Sequence, residues 1–342
     1  MSIRRKIERD TQALAMPRGR RVGQPGHDVA RNYLLQRMTE IGLVPFKGEG
    51  FALPFERAHP ITGIMTEFTN LVGRIPGTDK NCQPLLIGAH YDSVIDGPCA
   101  DDNATAVAVV LATAERFVSS PLTKEIIVAI FESEEPPFFL EEAMGSKRFY
   151  EDHCADIDFS CAIILDLIGH EVEIGEQELE GLIPDMRDLI FVMGSESDRS
   201  LPSVVEQAAA RVTGLRVFPT LNEYVGDMSD HHAFRLGGQP FLFLSCGQGR
   251  YYHQQQDDMD WINLDKTVRV HELLSELLVA AQEIEATHSV ERHDPVDFEI
   301  RMIKRAIGDP LTGLITALGL RSLSSRNDLT QLISALRNLV RA

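Results

Sequence analysis

The sequence predicts an α/β fold in which a single mixed, mostly parallel sheet lies between layers of helices. Three observations indicate this class. Short apolar runs bounded by turn residues recur along the chain, helical patterns alternate with them, and each apolar run is continuous. Continuous apolar runs are typical of strands covered on both faces, as in parallel sheets. We expect a small helical extension to follow the sheet at the C-terminus.

The predicted elements alternate along the chain between strands and helices. Continuous apolar runs predict strands at 84–89, 125–131, 161–165, 189–193 and 241–244. Helical spacing of apolar residues predicts helices at 104–117, 201–212 and 268–284.

Composition changes divide the chain into three parts. Residues 1–24 form a basic lead-in, residues 25–286 the main domain, and residues 287–342 a helical C-terminal extension that follows a polar, Pro-containing linker. Docking on the main domain is the simplest role for the extension. Homo-oligomer formation through it, or contact with a partner, stays an alternative.

Length and composition exclude several classes of protein. The chain has 342 residues, of which 44% are hydrophobic and 25% charged, as in ordinary globular proteins. It contains no run of 18 uncharged apolar residues, so we expect no membrane-spanning helix and no membrane partner. The basic N-terminus lacks an apolar core behind it, which argues against a secretory signal. Five cysteines without a CxxC pair indicate free thiols, and therefore a cytoplasmic protein.

The charge of the chain is uneven. The net charge is −18, yet residues 1–21 and 301–342 each carry seven Lys or Arg residues against two Asp or Glu residues. The body between them is therefore strongly acidic. This argues against nucleic acid as a partner and is compatible with carboxylates gathered around cations.

Acidic residues and histidines gather where the predicted strands end or the next helix begins. His90 and Asp92 follow the first of these strands, Glu134 and Glu135 the second, Asp166 ends the third and His253 comes soon after the last, whereas Asp101 and Asp102 stand at the start of the predicted helix 104–117. The carboxyl ends of parallel strands form the ligand crevice of open α/β sheets, so we expect these side chains to converge. Nitrogen and hard oxygen donors without thiolates suit zinc, cobalt or manganese. The other histidines have no such pattern and are expected in loops or at the surface: His27, His59, His153, His170, His271, His288 and His293.

Six sequence blocks resemble the M28 family of co-catalytic metallopeptidases, whose best-known members are zinc aminopeptidases. The blocks are AHYDS, CADDNATA, FESEE, LDLIG, SDHHAF and YYHQQQD, and the resemblance covers roughly residues 25–285. It includes TNLVGRIPGTD, which is similar to the strand and turn before the first metal ligand of the family.

The resemblance implies a role for each residue of a site with two divalent metal ions, most simply Zn²⁺. It implies that Asp101 bridges both ions and that the Asp101–Asp102 peptide bond is cis. His90 and Asp166 complete one ion, and the other ion is completed by Glu135 and His253. Two further residues are implied as catalytic: Glu134 as the general base toward a metal-bound water, and Asp92 as the acceptor of the second ring N–H of His90.

Several further residues are candidates for substrate binding. We expect Phe138 and Phe139 to line an apolar pocket, with Glu141 or Glu142 facing a substrate ammonium. Tyr224 is a candidate donor to the oxyanion. His231, in the SDHHAF block, is expected to shape the site from behind without binding a metal.

These observations predict a two-metal exopeptidase that cleaves the N-terminal peptide bond of short peptides. A carboxypeptidase or other amide hydrolase on the same metal centre is the first alternative. The M20 type of peptidase is disfavoured, because the 87 residues between Asp166 and His253 leave no room for its dimerisation domain. A glutaminyl-cyclase-like acyltransferase with one zinc, or a non-catalytic binding protein, is the alternative from another class.

Overall fold

A nine-stranded sheet forms the centre of the part of the chain that the structure describes. The computed structural model describes residues 1–173, 186–287, 293–317 and 319–340. The strand order is β1-β3-β5-β4-β6-β9-β7-β8, with β2 paired to β3. The four central strands β5, β4, β6 and β9 are parallel, whereas β1, β2 and β3 pair antiparallel at one side and β7 pairs antiparallel with β9. The predicted mixed sheet between helices is confirmed.

The strand bounds follow the apolar runs closely where the strands are central. The strands are β1 Val44–Pro45, β2 Ala52–Ala58, β3 Met65–Ile75, β4 Leu85–His90, β5 Ile126–Phe131, β6 Cys161–Leu165, β7 Leu189–Met193, β8 Arg216–Thr220 and β9 Phe241–Ser245. Each predicted strand lies within one residue of an observed one.

Two layers of helices cover the two faces of the sheet. The helices are α1 Ile3–Leu14, α2 Pro25–Ile41, α3 Thr105–Ser119, α4 Gly145–Phe149, α5 Leu201–Arg211, α6 His231–Leu236, α7 Leu264–Ala281, α8 Val296–Ile307, α9 Leu311–Ala317 and α10 Arg326–Val340. The larger core joins α1, α2, α3, α5 and α7 to one face. The smaller core packs α4 and α6 on the other face. No described helix is both long enough and apolar enough to span a membrane.

The N-terminal residues form an integral part of the main core. In α1, Ile7 and Leu14 are fully buried in the same cluster as α3 and α7. The basic residues Arg4 and Arg5 of α1 are exposed on the other side of this amphipathic helix.

The C-terminal extension packs on the outer strands of the sheet. Its helices α8, α9 and α10 form a third apolar cluster with Leu189 of β7 and Phe218 of β8. The carboxylate of Glu299 on α8 is paired with Arg326 on α10. Docking, the simplest role expected from the sequence, is what the structure shows for the described residues. Self-association through this extension stays a prediction.

Candidate metal centre

The expected side chains converge at the carboxyl ends of the central strands. His90 is the last residue of β4, Asp166 directly follows β6, and Glu134 and Glu135 lie just beyond β5. Asp102 lies in the helical turn 100–104 that leads into α3. His253 comes from the loop after β9 and completes the cluster. All these side chains except His253 are at least nine-tenths buried.

Two ligand groups share one carboxylate. His90, Asp102 and Asp166 form the first group, and Asp102, Glu135 and His253 form the second. The Oδ1 atom of Asp102 lies 3.4 Å from Nε2 of His90, and its Oδ2 atom lies 3.2 Å from Nε2 of His253. Nε2 of His90 is 3.6 Å from Oδ1 of Asp166, and Nε2 of His253 is 3.3 Å from Oε2 of Glu135. Each oxygen of Asp102 thus faces a different group.

The structure corrects one predicted ligand: Asp102, and not Asp101, bridges the two groups. The carboxylate of Asp101 accepts a hydrogen bond from the backbone N–H of Gly169 at 2.6 Å and lies 2.5 Å from Nδ1 of His170. In the turn that precedes α3, the two neighbouring carboxylates point in different directions. The cis peptide bond also lies one residue later than expected: it joins Asp102 to Asn103.

Asp92 positions both glutamates. Its Oδ1 accepts the backbone N–H of Glu134 and its Oδ2 accepts that of Glu135, each at 3.1 Å. Nδ1 of His90 lies 3.5 Å from Oδ1 of Asp92, on the side of the ring away from Asp102. Asp92 therefore lies behind His90, without a hydrogen bond to its ring, and it fixes the backbone that carries Glu134 and Glu135.

Two further residues hold the turn that carries Asp102, and the sequence analysis assigned them no role. The carboxylate of Asp257 accepts the backbone N–H groups of Asp101 at 2.8 Å and Asp102 at 3.1 Å. The fully buried Arg20 donates to the carbonyl oxygens of Cys99 at 2.9 Å and Asp102 at 3.2 Å. Asp257 is the last residue of the YYHQQQD block. Its proximity to His253 in sequence was the signal that could have indicated a role at the site. Nothing in the sequence around Arg20 distinguishes it from the other basic residues.

The electrostatics of the cluster are dominated by carboxylates buried close together. Burial raises the pKa of Glu134 well above its ordinary value, with further increases from Asp166 and Glu135. Burial and the negative charge of Asp102 raise the pKa of Glu135 to about 8. Burial lowers the pKa of His253, but the adjacent carboxylates of Asp102 and Glu135 outweigh this and bring it to about 10. The cluster therefore holds more carboxylates than imidazoles, an imbalance that bound cations can neutralise.

The donor set fits divalent cations. Several buried nitrogen and oxygen atoms that point into the cluster have no hydrogen-bond partner among the described residues. They are Nε2 of His90, Oε1 of Glu135, Oδ1 of Asp166 and Nε2 of His253. Buried polar atoms are normally paired, so an unpaired set of ligand type in one place indicates a binding site for an ion. Imidazole nitrogen with carboxylate oxygen suits zinc and neighbouring transition metals.

The backbone is strained around the same residues. Ser133, Leu167 and His253 have positive φ angles of 55°, 53° and 59°, although none is glycine. Ser133 directly precedes Glu134, and Leu167 directly follows Asp166. Left-handed conformations of such residues cost about 1 kcal/mol or more and concentrate at functional sites. These conformations change the direction of the backbone just beyond the strands, and so they set the direction of the neighbouring side chains.

The residues predicted to bind substrate divide into two sets. Phe138 lines a pocket beside Glu135, whereas Phe139 is partly exposed and does not line it. Glu142 is paired with Lys147 and so is turned away from the pocket.

The other two substrate candidates lie outside the ligand cluster. The Tyr224 hydroxyl forms a hydrogen bond of 2.5 Å with the hydroxyl of Thr330 on α10, so its partner is in the C-terminal extension. His231 is fully buried and stacks on Phe243, with ring centroids 4.2 Å apart. This contact lies on the face of the sheet that α4 and α6 cover. Tyr252, which the sequence analysis did not single out, stacks on the ring of His253 at 3.7 Å.

Comparison with known proteins gives one family. The sequence model of peptidase family M28 matches residues 70–278, which is more than half of the chain. The chain is 29% identical to the uncharacterized protein YfbL of Escherichia coli K12 over 233 residues, covering 62% of this chain and 70% of YfbL. It is 25% identical over 216 residues to aminopeptidase YwaD of Bacillus subtilis, covering 60% of this chain and 43% of YwaD.

Solved structures share the fold at lower identity. A Zn-dependent exopeptidase from Parabacteroides distasonis superposes with a TM-score of 0.61 at 15% identity, over 81% of this chain and 97% of that one. A glutaminyl cyclase from Porphyromonas gingivalis superposes with a TM-score of 0.60 at 18% identity, over 82% and 97%. At such identities the likeness shows the fold alone, and it includes enzymes of two reaction types.

Proposed function

Because this chain belongs to peptidase family M28 and is a metallopeptidase, we propose that it is a two-metal exopeptidase that releases the N-terminal residue of short peptides. The observation that carries the proposal is the position of Asp102. Its two oxygens face two separate ligand groups, each completed by one histidine and one further carboxylate. A site for a single ion has no need of the second group.

The residues present can hold two divalent ions, which we propose to be Zn²⁺. His90 and Asp166 serve one position, His253 and Glu135 serve the other, and Asp102 is shared. When bound, such a pair of ions supplies Lewis acidity that polarises a peptide carbonyl and lowers the pKa of water.

Glu134 is the group placed to move the proton. It is buried beside His90, with Oε2 3.7 Å from Nε2 of that ring, and it belongs to neither ligand group. Its carboxylate accepts a proton from the attacking water and then delivers that proton to the leaving amine. Asp92 fixes the backbone at Glu134 through a hydrogen bond at 3.1 Å.

Cleavage at the N-terminus is supported by the similarity of the chain to aminopeptidase YwaD, whose name states this polarity. We also propose a cytoplasmic location, in line with five cysteines that are all unpaired.

The test is hydrolysis of a panel of free-amino dipeptide amides by zinc-reconstituted protein, beside the N-acetylated forms of the same compounds. Cleavage of the free-amino forms alone, abolished in Glu134→Gln, supports the proposal. Cleavage of N-acetylated peptides from the C-terminus would indicate a carboxypeptidase that uses the same metal centre. Cyclisation of N-terminal glutamine without cleavage would favour the acyltransferase alternative.

A further inference from the structure

A pocket lies beside the second ligand group and is not used by the proposed chemistry. It is open to solvent, and about 330 Å³ of space, part of it open solvent, lies between its walls. Glu135 forms its inner end, Phe138 and Val22 form apolar walls, and Arg21 and His59 are its basic members. Glu135 belongs to the second ligand group, so the pocket borders the candidate metal centre.

Arg21 is held firmly at the backbone and is weakly paired at its guanidinium. The neighbouring residue Arg20 is fully buried, and its backbone N–H donates to the hydroxyl of Ser93 at 2.7 Å. The guanidinium of Arg21 makes one contact of 3.4 Å with Asp96, whose side chain is 61% exposed. Exposed pairs of this kind contribute about 1 kcal/mol or less, so a better-placed anion can replace Asp96.

His59 presents a ring N–H donor of fixed tautomer. Its Nδ1 atom accepts the backbone N–H of Ile61 at 3.2 Å, so the proton of the neutral ring is on Nε2. The ring packs edge-on against Phe138, with centroids 5.1 Å apart, and Phe138 packs in turn on Phe68 at 5.3 Å. This stack fixes the orientation of the imidazole at the wall of the pocket.

The acidic residues that border the pocket serve the candidate metal centre. Both oxygens of Asp92 accept backbone N–H groups, and Glu135 faces His253 within the second ligand group. The donors that remain for a ligand in this pocket are Arg21 and His59. A guanidinium and a ring N–H above an apolar wall match a carboxylate carried on a short aliphatic stem.

We propose that this pocket is a substrate subsite that binds a carboxylate through Arg21 and His59. The inference rests on the proposed function, since it places the carboxylate on a residue that flanks the scissile bond. That carboxylate has two sources: the side chain of Asp or Glu, or the C-terminus of a dipeptide. The first makes the protein selective for acidic residues, and the second makes it selective for dipeptides.

The test compares substrates that differ only in the carboxylate. Ala-Leu-NH₂ lacks it, Ala-Leu carries it at the C-terminus, Ala-Glu-NH₂ and Glu-Leu-NH₂ carry it on either side chain, and Ala-Lys-NH₂ carries a cation. Wild-type protein is expected to prefer one or more of the carboxylate substrates. Arg21→Gln is expected to lower kcat/KM for them by about 10- to 100-fold, while Ala-Leu-NH₂ changes less than about 3-fold. His59→Gln acts in the same direction, and Arg18→Gln, an exposed control, leaves the ratio unchanged.

Binding separates failure of the subsite from failure of the proposed function. Titration of the same ligands into the Glu134→Gln variant reports affinity without hydrolysis. If nothing is hydrolysed by wild-type protein but carboxylate ligands bind more tightly, and Arg21→Gln added to Glu134→Gln removes the difference, the subsite stands and the proposed function fails. An equal effect of Arg21→Gln on all substrates, or a preference for Ala-Lys-NH₂, overturns the subsite whether or not the protein is a peptidase.

Discussion

The exchange of Asp102 for asparagine tests the corrected bridging residue against its neighbour. Each oxygen of Asp102 faces one histidine, at 3.4 Å for His90 and 3.2 Å for His253. Asparagine keeps one oxygen and replaces the other with an NH₂ group, which cannot bind a cation. One ligand group is then left with two donors. We expect Asp102→Asn to lose at least one of two bound metal equivalents.

Asp101→Asn is the matched control, one residue away and equally buried. The amide oxygen can still accept the N–H of Gly169, so only the contact with Nδ1 of His170 is lost. The loss of one buried hydrogen bond costs about 1–3 kcal/mol of the free energy of unfolding. We expect both metal equivalents to be retained.

The assay is metal content by plasma mass spectrometry after dialysis against metal-free buffer, with thermal melting followed by circular dichroism. Wild-type protein and Asp101→Asn should keep two equivalents, and Asp102→Asn one or none. Two equivalents in Asp102→Asn, or equal loss in both variants, would refute the bridging role of Asp102. A melting temperature for Asp102→Asn close to that of wild type, measured without metal, shows that the loss is not caused by unfolding.

Three further predictions concern groups that support the site or the fold. Arg20→Met should lower the free energy of unfolding by about 3–5 kcal/mol in urea titrations, because it strips charged hydrogen bonds from several buried carbonyls, whereas the exposed Arg18→Met should change it little. Asp257→Asn should weaken metal affinity about 10- to 100-fold in competition with a chelator, because a carboxylate that accepts two N–H groups of the Asp102 turn becomes an amide that cannot accept both. Burial lowers the pKa of His271 to about 4, so protonation favours the unfolded chain and stability is lost as the pH falls from about 6.5 to 4. His271→Leu should remove about 3 kcal/mol of that loss in urea titrations at pH 4 and 7, and an unchanged pH slope would contradict this.

The strands β6 and β7 were predictable because both of their faces are covered. Cys161–Leu165 and Leu189–Met193 are continuous apolar runs, and their bounds agree with the structure to the residue. The strand Ala52–Ala58 was missed because it pairs only with β3 and alternates between buried and exposed positions. Arg216–Thr220 was missed because it begins with a charged residue and contains proline.

The site was predictable as a set of strand ends, and its details were not. Strand ends are marked by where an apolar run stops, so Asp166 and Glu135 could be placed from the sequence. Whether Asp101 or Asp102 faces both ligand groups depends on the backbone conformation of one turn, which composition and spacing do not reveal. Tyr224 was misplaced for a related reason, because its partner Thr330 lies 106 residues away in the chain.

Histidine burial shows the same limit. His27 and His271 have no patterned neighbours, yet both are buried, 3% exposed each. His27 stacks on Tyr91 with centroids 4.8 Å apart and lies 3.1 Å from the buried carboxylate of Glu132. These contacts join segments that are far apart in sequence, so no local sequence pattern predicts them. His288 lies outside the described residues.

Incorporation of oxygen from H₂¹⁸O tests the central claim most directly. Metal-reconstituted protein is incubated with Gln-Leu-NH₂ in labelled water, beside the Glu134→Gln variant, and the products are weighed by mass spectrometry. We expect free glutamine with one ¹⁸O in its new carboxylate, together with Leu-NH₂, and no product from the variant. Pyroglutamyl-Leu-NH₂ without label would contradict it, as would labelled products formed equally well by the variant.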